Sequence, residues 1–363
     1  MKKSTMIALI ACGAGLLLLI AGRLIFKGDN DMFFGNRDRT EKSYVCTGDI
    51  DRLVVNETCY KTTITVKDVE KAEIRYFLDE KTETVTVGEK NGELTFKRDD
   101  NKKGVYFDID FINSAEYPTE IVLPGDFNGE LIVKGISGRL EVREITGTKV
   151  VIESSSGAVK ADGIKAEELV VTAVSGAIRL NDAEVSGNLS VEASSGRVEM
   201  KNVSCCDLSS TTVSGAQEIG KVEAKNVSAT ASSGAVKCYD MTVDKDIYLK
   251  TVSGRISLED SSAEALKSES GSGAHMYADV KVERIKAKAV SGGIGLDRLD
   301  IGSEGVFNTS SGSVKGTVKG NESDFSVITK TSSGSSNLNN TRTGEKTLDI
   351  TTTSGSIKVT FVK

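Results

Sequence analysis

Residues 150–180 read VVIESSSGAVKADGIKAEELVVTAVSGAIRL, and this stretch decides the fold. It contains two Ser-Gly pairs, whose glycines Gly157 and Gly176 are 19 residues apart. Aliphatic residues stand at the same distances before and after each of these glycines. Such a fixed period is typical of repeat proteins, in which every repeat contributes one structural unit.

The Ser-Gly pair recurs twelve times in the C-terminal two-thirds of the chain, at intervals of 19 to 22 residues. Seven residues before the glycine, eleven of the twelve repeats carry Leu, Val or Ile, and three before it the residue is always small. The twelve glycines are Gly138, Gly157, Gly176, Gly196, Gly215, Gly234, Gly254, Gly273, Gly292, Gly312, Gly334 and Gly355.

Counted from its glycine, each repeat has inward positions −7, −5, −3 and −1 that alternate by two, as one face of a β-strand requires. The alternation breaks between −1 and +2, between +4 and +7, and before the next −7, which indicates three corners. At the first corner we expect glycine to adopt a positive φ. At the third we expect extra residues to be tolerated. The prediction is an all-β fold, a single-stranded parallel β-helix (β-solenoid) of about twelve 19–20-residue coils.

The residue before each serine alternates between aliphatic and small from residue 136 to residue 310. Either duplication copied pairs of coils, or one turn of the solenoid contains two repeats. We favour the first interpretation. The alternating residues are Ile136, Ser155, Val174, Ser194, Val213, Ser232, Val252, Gly271, Val290 and Ser310.

Residues Ser4 to Gly22 carry no charge, and basic residues flank them on both sides. A helix of this length spans roughly 28 Å, close to the thickness of the hydrocarbon core of a bilayer. A cleavable signal peptide and lipoprotein processing at Cys12 are the alternatives. The apolar run is long for the first and lies mostly after the cysteine for the second. We therefore expect an uncleaved signal-anchor in a single-pass protein of the cell membrane, with the bulk of the chain extracytoplasmic.

The expected organisation is a transmembrane anchor at 1–26, a polar tether at 27–45, a non-repeat β cap at 46–125 and the solenoid repeats at 126–363. The cap region alternates like strands but lacks Ser-Gly pairs, and a solenoid needs its first coil covered. The last strand, which ends at Lys363, has no such cover in the sequence. We therefore expect the C-terminal edge to be open for a partner or for self-association.

Composition excludes several kinds of function. A net charge of −6 argues against a nucleic-acid binder. A single histidine argues against a His-based metal site or a Ser-His-Asp triad. There is no Cys-x-x-Cys motif, and only Cys46 and Cys59 suggest a disulfide, in an oxidising compartment. No catalytic, cofactor-binding or metal-binding residue is assigned, and no cofactor is expected.

Four features could carry chemistry, and for each we favour a structural interpretation. The serines of the Ser-Gly pairs lack a base at a defined spacing, and we expect their hydroxyls to bond neighbouring backbone at the corners. His275 and Tyr277 replace aliphatic residues at +2 and +4, which fits a site or an irregular coil. Asp108 and Asp110 fit a cation site or a solvated strand face. Gly271 belongs to a Gly-Ser-Gly run that lacks the lysine of a phosphate loop, so we interpret it as a corner.

The stretch YPTEIVLP at 117–124, followed by LIVKGISGRLEV at 131–142 and the tandem Ser-Gly repeats, resembles the bacterial "putative adhesin" β-strand-repeat family. This family includes membrane-anchored LiaG-like proteins, and the resemblance covers roughly residues 46–363. It implies a solenoid in the cell envelope, in proteins linked to envelope stress. It implies no chemistry, because a fold does not by itself give a function.

The expected function is that of a noncatalytic envelope scaffold or interaction protein, which binds an envelope protein or cell-wall glycan and contacts the membrane through its N-terminal helix. One alternative is an adhesin for surface glycan or protein, although a chain of this length reaches poorly beyond a thick wall. A second is a polysaccharide-acting enzyme, but such enzymes need long loops and these corners are short.

Overall fold

The computed structural model describes residues 39–100 and 117–363. Most of them belong to one unit, Glu41–Leu78 together with Thr82–Lys363. A second, small unit is described only at Arg39, Thr40 and Asp79–Lys81.

Three of the sequence-based expectations lie outside the described residues. They are the anchor at 1–26, most of the tether, and the pair Asp108 and Asp110. In the described part of the chain, no helix is long and apolar enough to cross a membrane.

Twenty-three strands form one sheet in the described residues. A short 3₁₀ turn at Glu322–Asp324 is the only helical element there. The first nine strands are β1 (Thr40–Val45), β2 (Arg52–Glu57), β3 (Thr62–Lys67), β4 (Glu73–Leu78), β5 (Glu83–Lys90), β6 (Glu93–Asp100), β7 (Thr119–Pro124), β8 (Glu130–Gly135) and β9 (Leu140–Arg143). The next eight are β10 (Thr146–Ser154), β11 (Val159–Ala173), β12 (Ile178–Val185), β13 (Asn188–Ala193), β14 (Val198–Thr212), β15 (Gln217–Ala231), β16 (Val236–Thr251) and β17 (Ile256–Ser270). The last six are β18 (His275–Ala289), β19 (Ile294–Thr309), β20 (Val314–Lys319), β21 (Phe325–Thr331), β22 (Lys346–Thr352) and β23 (Ile357–Val362).

Each repeat makes one turn of the solenoid. Leu169 pairs in parallel with Val150 on one side and with Leu189 on the other, so each residue stacks on its equivalent in the next repeat. The possibility of two repeats per turn is therefore wrong. The aliphatic and small residues that alternate from 136 to 310 belong to successive coils.

The aliphatic columns form the core, as predicted. In the coil that contains Gly176, the residues Leu169, Ile178 and Leu180 are each at most 1% exposed. Their equivalents are buried in neighbouring coils, so the stacked side chains form continuous ladders. Burying one such side chain contributes about 1.5–3 kcal/mol. Because a lone coil buries only one layer, its stability depends on its neighbours.

The Ser-Gly corner needs glycine for a reason other than the expected one. None of the twelve corner glycines has a positive φ. Instead, a Cβ atom on Gly215 would lie under 3.0 Å from the carbonyl oxygen of Gly196 in the preceding coil. In coils with Ser or Thr at position −3, that hydroxyl closes the corner; Ser154 Oγ, for example, donates to the carbonyl of Gly157 at 2.7 Å. Ser156, of the Ser-Gly pair itself, is exposed, and so are its equivalents Ser137 and Ser175. The expectation that position −1 faces inward is therefore wrong, and the buried residue at this corner is the glycine.

The residue with a left-handed backbone conformation (positive φ) lies at the second corner, at position +6. Gly163 has a φ of 67° there, and eight other coils use residues with φ between 46° and 56°. Asp and Asn are common at this position because they tolerate this conformation better than most side chains. The residues are Glu144, Asp182, Asn202, Lys221, Asp240, Asp260, Asp279 and Arg298.

The third corner accommodates the extra residues, as predicted. The register between neighbouring coils shifts there after Ala224, after Thr242 and after Val282. The strands on either side of each shift return to the regular pairing, so the insertions leave the core ladders intact.

The N-terminal end adds two coils without Ser-Gly pairs, and they stack out of sequence order. β2 and β3 lie directly on β8 and β9, with Leu53 beside Leu131. β6 and β7 lie on the outer side of β2 and β3, with Leu94 beside Leu53. β4 then pairs antiparallel with β7, and β5 pairs antiparallel with β6. These antiparallel strands occupy the end of the parallel stack.

The C-terminal end is also out of order, and the expectation of an uncapped last strand is wrong. β23 stacks on β20, and β22 lies between β19 and β21, so the last coil in space is the one that contains Gly334. The side chain of Asn337 pairs with Val359 like a peptide group, donating to its carbonyl at 2.7 Å and accepting from its N–H at 3.0 Å. Asn340 accepts from the N–H of Thr329 at 2.7 Å. These amides cover edges that would otherwise bind another strand.

Replacing a corner glycine tests the close approach between coils. We expect Gly215→Ala to lower the free energy of unfolding by about 3 kcal/mol, because the added methyl must displace the backbone of the preceding coil. Gly88→Ala is the control, since no atom lies within 4 Å of its added Cβ. Urea denaturation of both variants measures the difference, and equal stabilities would contradict the steric explanation.

Candidate functional site

The single histidine lies in the core. His275 is 2% exposed. Its Nδ1 lies 3.0 Å from Ser268 Oγ and 2.9 Å from the hydroxyl of Tyr277. Its Nε2 lies 2.8 Å from Ser270 Oγ. Ser268 stands at position −5, where most coils have an aliphatic residue, so a small side chain compensates for the large ring. The structure thus places His275 and Tyr277 together in a closed, hydrogen-bonded layer of the core.

A second coil repeats this arrangement with glutamine. Gln217 occupies the position equivalent to His275, and Ser210 occupies the position equivalent to Ser268. The Nε2 of Gln217 donates to Thr212 Oγ1 at 3.1 Å and to the carbonyl of Thr230 at 2.5 Å. The solenoid therefore accepts a large polar side chain at +2 when the residue at −5 is serine.

The His275 layer makes a prediction about pH. Burial lowers the pKa of His275 to about 4, whereas in the unfolded chain the pKa is about 6.5. Below pH 6.5 the unfolded chain binds a proton at this histidine more readily than the folded protein does. The free energy of unfolding is therefore unaffected by His275 above pH 6.5 and falls between pH 6.5 and pH 4, by roughly 3 kcal/mol at most. His275→Gln, which copies Gln217, should fold and lack this part of the pH dependence. Urea denaturation between pH 4 and pH 7.5 measures it, and an unchanged slope in the variant would assign the titration to other groups.

A second buried polar cluster lies in the N-terminal coils, and the sequence analysis missed it. The buried Arg98 guanidinium lies 2.8 Å from Glu57 and 2.7 Å from Glu83, and it stacks 4.2 Å from the ring centre of Tyr60. Thr119 donates to Glu57 at 2.7 Å. Burial raises the pKa of Glu57 above its usual range, against the opposing effect of Arg98. The sequence contained a signal for this cluster. In β6 the inward residues alternate, and the alternation continues from Leu94 and Phe96 to Arg98, so the Arg98 side chain also points inward.

Removing the arginine tests whether this cluster is structural. Arg98→Met leaves two carboxylates buried without a cation, which should cost roughly 3–5 kcal/mol of unfolding free energy. Lys97→Met is the control, because the Lys97 side chain is 53% exposed and exposed substitutions stay within about 0.5 kcal/mol. Chemical denaturation at neutral pH distinguishes the two, and a stable Arg98→Met protein would contradict a structural role.

Within the described residues, all five cysteines are free thiols. Cys46 and Cys59 are both free thiols, so the disulfide considered from the sequence is not formed. Burial raises the pKa of Cys46 to about 12 and that of Cys59 to about 11, which keeps both thiols protonated and unreactive at neutral pH. Among the described residues, no group of three or more His, Cys, Asp or Glu side chains could hold a metal ion.

Exposed aliphatic residues are concentrated along one corner of the solenoid. Five side chains there are 49–56% exposed, and they stand at position −2 of every second coil. In the described residues, only Val45 and Met276 are other large hydrophobic residues with comparable exposure. We call the row the aliphatic edge. Its members are Ile136, Val174, Val213, Val252 and Val290.

The backbone does not require these aliphatic side chains. The N–H of Val174 donates to the carbonyl of Ser154 at 3.0 Å. In the next coil, Ser194 donates in the same way to Ala173 at 3.1 Å. Serine and valine therefore support the same corner, and a half-exposed valine gains little from burial. Successive residues of the aliphatic edge are two coils apart, about 9.6 Å, and the whole row is about 38 Å long.

Two of the depressions on the surface of the described residues lie near features discussed above. One, of about 560 Å³, opens beside the N-terminal end of the edge and is lined by Ile136 and Val174. The other, of about 800 Å³, follows the third corner and is lined by Lys165, Glu184 and Cys205 among others. Lys165 and Glu184 form an ion pair at 3.2 Å, so this groove has paired charges.

Two solved structures illustrate the likeness to known proteins. A "putative lipid binding protein" from Parabacteroides distasonis ATCC 8503 is 18% identical, with a TM-score of 0.46, over 72% of this chain and 97% of that one. A "putative adhesin" from Parabacteroides merdae ATCC 43184 is 13% identical, with a TM-score of 0.45, over the same shares of both chains. No curated protein matches the chain.

The family comparison covers most of the chain. Residues 50–219 and residues 189–360 each match the same family, and the two matches overlap within the repeats. The resemblance to a β-strand-repeat family of unknown function, drawn from the Ser-Gly repeats, is confirmed. The chain belongs to the Toastrack DUF4097 family.

Proposed function

We propose that this protein is a noncatalytic interaction protein of the cell envelope. Residues 1–26 anchor it to the cell membrane, and the solenoid lies on the extracytoplasmic side. The observation that carries the proposal is the aliphatic edge. A row of half-exposed aliphatic side chains, in a place where serine serves the backbone equally well, is expected at a surface that binds a partner.

The noncatalytic part of the proposal is supported by the position of the polar clusters. The layer around His275 is enclosed in the core. Glu57 and Arg98 lie at the wall of the depression beside the edge, but they are only 2% and 1% exposed. The third-corner groove is lined by Lys165 and Glu184, whose charges form an ion pair. Active sites instead bring together groups with shifted pKa values in an accessible cavity.

The membrane location is supported by the uncharged run from Ser4 to Gly22. Adhesion between surfaces is one form that such an interaction can take, and a scaffold within the envelope is another.

Charged substitutions in the edge test this function in the full-length chain. In cells treated with a short cross-linker, the wild-type chain should form a defined product with its envelope partner. Val213→Asp combined with Val252→Asp should remove that product, because two carboxylates cannot be buried against an apolar partner.

The matched control is Lys221→Asp. It introduces the same side chain in the same coil as Val213, at a corner where Asp182, Asp240 and Asp260 occur naturally. Cross-linking should remain as in the wild type. A product pattern shared by all three proteins would contradict an interaction role for the edge.

A further inference from the structure

We infer that the partner of the aliphatic edge is a second copy of this chain, packed antiparallel to the first across a two-fold axis. This inference rests on the proposed function, since it names the occupant of the same surface. The alternation of large and small residues is the first observation. Coils are numbered here from 1, which contains Gly138, to 10, which contains Gly312. Odd coils carry Ile or Val at position −2, and even coils carry Ser or Gly.

Ten alternating coils are self-complementary only when the rods are antiparallel. A two-fold axis between coils 5 and 6 places coil n against coil 11 − n, so every odd coil faces an even one. Val213 then faces Ser232 of the partner subunit, and Val174 faces Gly271 of the partner subunit. Each aliphatic side chain enters the gap left by a small residue, as in close-packed interiors. A parallel arrangement needs a shift of one coil, which gives a heterologous contact without closure.

Charges at position −4, beside the edge, are the second observation. The two-fold axis lies in the plane of contact, so this flank faces the same flank of the partner. Glu192 of coil 4 then faces Lys250 of the partner subunit, in coil 7. Both side chains are exposed, and neither takes part in an ion pair among the described residues. Nearest the axis, Thr211 of coil 5 faces Thr230 of the partner subunit, so this flank brings no like charges together there.

Other flanking positions agree with this pairing. Glu153 of coil 2 faces Lys288 of the partner subunit, and Glu218 at position +3 of coil 5 faces Lys237 of the partner subunit. Within its own chain Glu153 also pairs with Lys134 at 2.9 Å and Glu218 with Arg197, so these two contacts add less than the one between Glu192 and Lys250. One pair opposes it, because Arg197 at position +1 faces Arg255 of the partner subunit. Arg197 is neutralised within its own chain by Glu199, which lies 2.8 Å away.

The size of the edge suits a specific dimer. Nine spacings between ten coils give a strip about 43 Å long. A specific interface buries at least about 1,000 Å² in total, which requires a strip roughly 12 Å wide on each partner. The edge with its two flanking positions provides about that width.

The mass of the full-length chain in detergent tests the inference. Light scattering after size exclusion should give a dimer for the wild type and for Lys221→Asp. Val213→Asp combined with Val252→Asp should weaken dimerisation at least about a hundredfold, or ~2.7 kcal/mol, because each change occurs twice in the dimer. A dimer that persists in this variant would be held elsewhere, for example by the anchor helix, and would overturn the inference.

Charge reversal tests the antiparallel pairing. Glu192→Lys alone and Lys250→Glu alone should each weaken the dimer, and the two changes together should restore it. Within one chain the two residues are three coils apart, about 14 Å, which is too far for direct contact. Restoration therefore requires a partner in this register. If the double variant dimerises more weakly than either single variant, the pairing of Glu192 with Lys250 of the partner subunit is wrong.

The experiments separate failure of the inference from failure of the proposed function. A monomeric wild type whose cross-link to another envelope component depends on Val213 and Val252 overturns the second copy as partner and leaves the function in place. If the wild type is a monomer and its cross-links do not depend on Val213 and Val252, both the inference and the proposed function are wrong.

Discussion

The close approach of successive backbones at the Ser-Gly corner is the constraint on which the whole structure depends. At Gly215, as at the other corners, the α-carbon lies so near the carbonyl of the previous coil that no side chain fits. This contact sets one coil directly on the next, and the inward residues then stack in ladders. A repeat without its neighbour has neither the corner contact nor a second layer to bury its side chains, which explains why the units occur in a long array.

Within that frame, the core contains polar layers. The layer around His275 is hydrogen-bonded through both ring nitrogens, whereas in the layer around Gln217 the Gln217 Oε1 and Ser210 Oγ atoms have no hydrogen-bond partner. The layer around His275 and the one around Gln217 each combine a large polar side chain with a serine that makes room for it. The Arg98 cluster follows the same physical rule with charges. Buried polar groups are stable where their hydrogen bonds are made, and costly where one partner is missing.

The ends of the solenoid avoid open edges by reordering the chain. At both ends, a strand from the chain segment nearest the terminus lies one coil inside the end of the stack. β2 is covered by β6, and β22 is covered by β21. Asparagine side chains then cover the remaining strand edges, as Asn337 of the last coil does when it pairs with Val359 of β23 as a peptide would. A free terminal strand would instead be a template for aggregation.

The sequence by itself determined the repeat, the three corners, the inward columns and the burial of residues such as Leu169 and Ile178. It could do so because a period of 19 or 20 residues repeats the same local geometry in every coil. Only the tertiary structure decided why Gly215 must be glycine, which coil ends the stack, and that Arg98 meets Glu57 inside. These depend on contacts between segments far apart in the chain, which no local pattern records. The same holds for the aliphatic edge: the sequence shows that valine and serine alternate, but only the stacking of one repeat per turn places the valines in a single exposed row.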